Sequence, residues 1–225
     1  MTFFYRTRKN IKDHIHAMVD YMIIKHNKVL PVRIDLHFPY NYWQDGSNRE
    51  IQNFERNINR YFSYRGIDMV ILVVREQHKS QNPHYHVFMC VDGNKLEITY
   101  MIFLVCNKIW TKIIKKELLS IGWETSTIGQ YCLDGLVHHC DDQTGAKLPP
   151  METIRRPSKF AVGDELVVQR EEFGSTRKTA IDHGMYLAKE LSKGSAPKGT
   201  REMLGSCQRR SKTRPAWRFK TRPLA

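Results

Sequence analysis

An apolar run rich in branched residues, "GIDMVILVVREQ" at 66–77, and a second apolar run, "HYHVFMCV" at 84–91, are separated only by the polar stretch "HKSQNP". Runs of this length and composition read as strands buried on both faces, and the polar break between them reads as a turn. The first run has the character of a central strand, and the turn "DGN" at 92–94 ends the second. A hairpin so apolar commits the rest of the chain to covering a sheet.

The flanking segments supply that cover. "PVRIDLHFP" at 31–39 alternates Val32, Ile34, Leu36 and Phe38 with Arg33, Asp35 and His37, the period of a strand with one buried and one polar face. Between Lys9 and Lys28, Ile11, Ile15, Met18, Val19, Met22 and Ile23 recur at three-and-four spacing, which predicts an amphipathic helix. Ile51, Phe54, Ile58 and Phe62 predict a second helix with Asn48 as its cap. Residues 96–120 predict a third, through Ile102, Val105, Ile109, Ile113 and Leu118. "QYCLDGLVHHC" is a candidate for a further strand, "TGAKLPP" and "RRPSK" are loop signals, and "RKTAIDHGMYLAKELSKG" at 177–194 predicts a last helix ending at Gly194. The expected class is α+β, with one domain over 1–194 and a basic, flexible tail over 195–225.

Charge bounds the partner. Thirty-six Lys and Arg against 23 Asp and Glu give a formal +13, which favours a polyanion, nucleic acid first. Ten of the basic residues lie in 193–225 beside the single acid Glu202. Five scattered cysteines without a C-x-x-C pair argue against disulfides and zinc–thiolate sites and for a reducing compartment. No stretch has the length and apolarity of a signal peptide or a membrane span, so the expectation is a cytoplasmic protein with no membrane partner.

Residues two apart on a strand point to one side, so His84 and His86 project together. A hairpin brings Glu76 beside them, with His78 on the same face as the alternative third ligand. Two imidazoles and a carboxylate leave coordination positions open for substrate. "HIH" at 14–16 is the same motif on a helix, where two residues subtend about 200° and the side chains diverge. "HHCDD" at 138–142 has ligand-type side chains but no partner pair, and reads as structural or surface. Tyr186 is the one tyrosine with a lysine three residues on, in "YLAK", which puts the phenol and Lys189 on one helical face. A phenol, with a pKa near 10, needs such a cation to act as a nucleophile.

"RIDLHFP", "VREQHKSQNPHYHVFM" and "YLAKELSK" followed by "REMLGSC" together resemble the HUH endonucleases, and among them the inovirus gene-II-type replication initiators of filamentous phages and prophages. The resemblance spans about residues 30–207. It implies a Rep-type antiparallel sheet of about five strands, with the metal on an open face and helices on the other. It implies His84 and His86 as ligands of Mg²⁺ or Mn²⁺ with Glu76 as third, Tyr186 as covalent nucleophile and Lys189 as its assistant. The activity it implies is site-specific nicking of single-stranded DNA at a replication origin through a 5′-phosphotyrosine, with host replication proteins as further partners. The chain order, tyrosine after the histidines, argues against a conjugative relaxase, since Tyr5 has no lysine partner; an HUH transposase and a non-catalytic phage DNA-binding protein are the alternatives.

Overall fold

The computed structural model describes residues 8–40, 42–77, 82–124, 128, 135–139, 151–189 and 200–205. Helix α1 (Lys9–Lys25) leads into β1 (Lys28–Leu36), α2 (Arg49–Ser63), β2 (Met69–Glu76), β3 (His84–Asp92) and α3 (Thr99–Ser120). Short β4 (Val137–His139) and β5 (Ile154–Arg155), then α4 (Gly163–Met185) and β6 (Met203–Gly205), complete the described elements. A 3-10 turn, Tyr186–Ala188, continues α4. The chain is α+β, and every strand pairing is antiparallel.

The strand order is β4-β1-β3-β2-β6, with β5 on the same edge of β1 as β4 but at its other end. The centre of the sheet is therefore β3, which pairs along its whole length with β1 and β2. The run at 66–77, expected as a central strand, forms the interior strand β2, flanked by β3 along its length and by β6 at Leu72–Val74. Residues 200–205, within the segment expected to be a flexible tail, thus contribute an edge strand. Glu202 holds them there: its carbonyl accepts from the Arg75 amide at 2.8 Å, and its carboxylate pairs with Arg8.

Helices cover both faces of the sheet, which corrects the expected open face. On one side, Leu30, Val32, Ile34, Ile71, Val73, Val87 and Met89 meet Phe54, Ile58 and Phe62 of α2 and Ile102, Trp110 and Ile114 of α3. On the other, Val70, Leu72, Val74, Phe88 and Cys90 meet Ile11, Ile15, Met18 and Met22 of α1 and Ala180 and Ile181 of α4. Each fully buried Ile, Leu or Phe here contributes roughly 1.5–3 kcal/mol before chain entropy is counted.

Several element ends differ from the sequence reading. α1 stops at Lys25, so β1 starts three residues before Pro31 and ends at Leu36, ahead of Phe38 and Pro39. Asn48 stands at the N-cap of α2 without capping it, because its side chain is used elsewhere: Nδ2 donates to the Arg201 carbonyl at 2.7 Å and Oδ1 accepts from Arg75 at 3.4 Å. The buried stripe of α3 runs through Cys106 and Trp110 rather than Val105 and Ile109, and Trp110 Nε1 donates to the His37 carbonyl at 2.7 Å. α4 begins at Gly163 and ends at Met185, not Gly194. Among the described residues no helix is long and apolar enough to cross a membrane.

Candidate metal and nucleophile site

The β2–β3 hairpin has the register that sets Glu76 opposite His84 and Val74 opposite His86, while β1 sets Asp35 opposite His86 from the other side. Alternation then puts Glu76, His84, His86 and Asp35 on the face shared with α1 and α4. Glu76 and His86 are buried, and His84 is half-buried. One ligand atom from each of Glu76, His84 and His86 lies within 4.8 Å of the others. His78, the alternative third ligand, lies outside the described residues.

His86 is held from both ends. Its Nδ1 lies 2.5 Å from Asp35 Oδ1 and its Nε2 2.5 Å from Glu76 Oε2. Burial disfavours a charged ring, but the Asp35 charge and the hydrogen bonds to Asp35 and Glu76 outweigh it and raise the His86 pKa above its ordinary value. His84 goes the other way: burial first, then the neighbouring His86, lower its pKa to about 4, although Glu76 opposes this. A neutral imidazole keeps its lone pair available for a metal. Its Nε2 is 3.9 Å from Glu76 Oε2, so the carboxylate lies between the two rings.

This donor set fits a divalent cation. Two imidazoles and a carboxylate are brought together on paired strands, and with a metal bound Asp35 behind His86 would fix the ring orientation and raise ligand basicity. Further rings extend the cluster. His37 stacks on His84 with centroids 5.3 Å apart and planes 2° from parallel, and His138 meets His37 edge-on at 4.7 Å. The "HHCDD" stretch thus places one histidine against the site's outer wall, while 140–142 lie outside the described residues.

The nucleophile candidate is brought to the same place by α4. At Gly184 that helix passes so near α1 and β3 that a Cβ would lie 2.8 Å from Ile15 Cγ2 and 3.4 Å from the Phe88 ring. Two residues on, the helix tightens into the 3-10 turn, and the Tyr186 ring meets His86 edge-on with centroids 5.2 Å apart. Lys189 caps the turn rather than continuing a helix, yet the i,i+3 relation survives: its Nζ donates to Tyr186 Oη at 3.3 Å. The five described residues singled out from the sequence for the site, Glu76, His84, His86, Tyr186 and Lys189, therefore converge.

Arg33 and Asp35 were not singled out, although both stand on the polar face of "RIDLHFP". The Arg33 guanidinium carbon lies over the Tyr186 ring, 3.8 Å from its centroid, and the residue is 6% exposed. Among the described residues it pairs with no carboxylate, and its Nε has no hydrogen-bond partner. A desolvated cation left this way favours an incoming anion. His183, one turn before Tyr186, has its pKa lowered by burial and then by the Arg33 charge. Comparison of the chain with protein-family models, with curated proteins and with solved structures finds no match.

Proposed function

We propose that this chain is a metal-dependent, site-specific single-strand DNA endonuclease of the HUH type that starts rolling-circle replication. The observation that carries the reading is the meeting of Tyr186 with His86 at the strand ends where Glu76, His84 and His86 converge. A phenol has no structural need for two cations and a metal-type cluster around it; a nucleophile that attacks a phosphodiester does.

Glu76, His84 and His86 would hold the ion, Mg²⁺ or Mn²⁺ by the family resemblance, and when bound it supplies Lewis-acid polarisation of a phosphate oxygen. The remaining work falls to side chains. Arg33, whose Nε has no hydrogen-bond partner, offers its guanidinium to the scissile phosphate or its neighbour and packs over the Tyr186 ring. Lys189, 3.3 Å from the hydroxyl, stabilises the phenolate as the proton leaves. The Tyr186 oxygen forms a bond to phosphorus, the bond from phosphorus to the 3′ oxygen breaks, and that oxygen takes up a proton. The products are a 5′-phosphotyrosine and a 3′-hydroxyl primer, and reversal by another 3′-hydroxyl closes a circle. The basic character of the chain suits a strand threaded across this face.

The test is nicking of single-stranded candidate origin DNA with Mn²⁺ or Mg²⁺. Cleavage should require the metal and vanish in Tyr186→Phe, while that variant binds the strand as tightly as the parent. Metal-independent cleavage, or full cleavage by Tyr186→Phe, would refute the reading.

A further inference from the structure

Helices α2 and α3 run side by side on the sheet face away from the cluster of Glu76, His84 and His86, and a groove of about 540 Å³ lies along them. Its walls carry Arg56, Arg60 and Arg65 from the α2 side and Lys112 and Lys116 from α3, all exposed. The acid in the wall is Glu117, and it is engaged by Arg49 at 3.6 Å. Among the described residues, none of the five cations pairs with a carboxylate. Elsewhere some surface cations are paired, as Lys25 is with Asp68, Arg177 with Asp20 and Lys178 with Asp182.

The placement is costly for the free protein. Arg56 and Arg60 stand at i and i+4 on α2, and Lys112 and Lys116 do so on α3; like charges at that spacing destabilise a helix. Two rows of cations facing each other across a groove concentrate positive potential in it. An anion running along the groove relieves both. The aromatic residues indicate which anion. Tyr61 lies in the groove beneath Arg65, whose guanidinium carbon is 3.7 Å from the ring centroid, and Tyr64 beside it is 82% exposed. Tyrosine faces among phosphate-binding cations are the composition of a single-strand groove, where bases stack and the backbone meets Lys and Arg.

We infer that the α2–α3 groove is a second nucleic-acid site, which binds a single strand through its phosphates and through base stacking on Tyr64 and Tyr61. It lies across the sheet from the Tyr186 site, so it holds a segment of strand distinct from the one being cut. The inference goes beyond the nickase reading and does not require it, because binding is measured without cleavage.

The experiment uses the full chain, fluorescein-labelled oligothymidine and anisotropy over a series of NaCl concentrations. Arg56→Gln/Arg60→Gln/Lys112→Gln should lower the log–log salt slope by about 2, from three phosphate contacts at about 0.7 each. Tyr64→Ala should weaken binding about five- to a hundredfold with little change in slope. Circular dichroism should show both variants folded, since all four positions are exposed. Metal-dependent nicking by the triple variant should be unchanged at saturating DNA, which separates this groove from the Tyr186 site. An unchanged slope together with unchanged affinity overturns the inference. So does an unchanged slope with lost binding to a polyglutamate peptide, which would make the groove a dock for an acidic protein.

Discussion

Asp35→Asn isolates the contribution of the carboxylate behind His86. The substitution keeps the shape of the side chain and removes one of the two negative charges that flank the ring, each at 2.5 Å. Carboxylates behind a ligating imidazole are worth about 10–100-fold in metal affinity, or about 1.4–2.7 kcal/mol. The loss should depend on pH. In the parent, Asp35 and Glu76 raise the His86 pKa against burial, so at acidic pH a metal must displace a proton from this ring. His84, with its pKa lowered to about 4, offers no such competition. Asp35→Asn removes part of the proton's advantage as well as the metal's. The affinity ratio between parent and variant should therefore be widest near pH 8.5 and narrow toward about pH 6. Without metal the linkage has the opposite trend. A histidine whose pKa is raised on folding adds stability that is fully present below its unfolded pKa of about 6.5 and is lost as pH rises through the folded value. Asp35→Asn should thus destabilise the metal-free protein most on the acid side, by about 1–2 kcal/mol, since Glu76 still pairs with the ring. Calorimetric Mn²⁺ titration and thermal unfolding at both pH values read the two trends. Equal Mn²⁺ affinity in parent and variant at both pH values would reduce Asp35–His86–Glu76 to a structural ion network.

His84→Ala/His86→Ala should abolish the Mn²⁺ binding heat seen in the parent, and equal heats in both proteins would remove the metal from the account. Gly184→Ala normally gains about 1 kcal/mol in a helix; here a Cβ 2.8 Å from Ile15 should reverse the sign, costing about 1–3 kcal/mol. Its lowered unfolding midpoint should come with slower nicking, because Tyr186 lies two residues beyond the displaced turn. Deleting 208–225, which carries Trp217 and Phe219 among basic residues, should weaken single-strand binding and flatten its salt dependence by about 0.7 per lost phosphate contact. Cleavage at saturating DNA should persist in that truncated chain, and its loss would mean that the tail completes the catalytic fold.

The Glu76, His84 and His86 cluster was legible because it depends on local order. Alternation fixes the shared side of His84 and His86, and a short hairpin leaves few registers for Glu76, of which the one found pairs it with His84. The interior place of β2 was legible in its apolar run, but the strand that flanks it was not, since neither β6 nor its pairing with Leu72–Val74 has a visible signal in three residues. Asp35 and Arg33 were visible as polar residues on a strand, but their partners depend on β1 pairing with β3 across some 50 positions of sequence, which no local period encodes. The first half of α4 was missed for a different reason. "GDELVVQREEFGS" buries nothing deeply, because only Ala180, Ile181 and Gly184 of this helix reach the core, and an exposed helix shows no apolar stripe. The turn at Tyr186 follows from the same geometry: after the close approach at Gly184 the chain tightens, burying Leu187 and Ala188 and leaving the phenol beside His86.

The most direct test of the central proposal is the mass of the protein after incubation with a single-stranded origin candidate and Mn²⁺. A covalent species heavier by the 5′-phosphorylated fragment, mapped by peptide sequencing to Tyr186 and absent in Tyr186→Phe, is the expected result. An adduct on another tyrosine, such as Tyr5, or cleavage that leaves no protein-linked product, would contradict it.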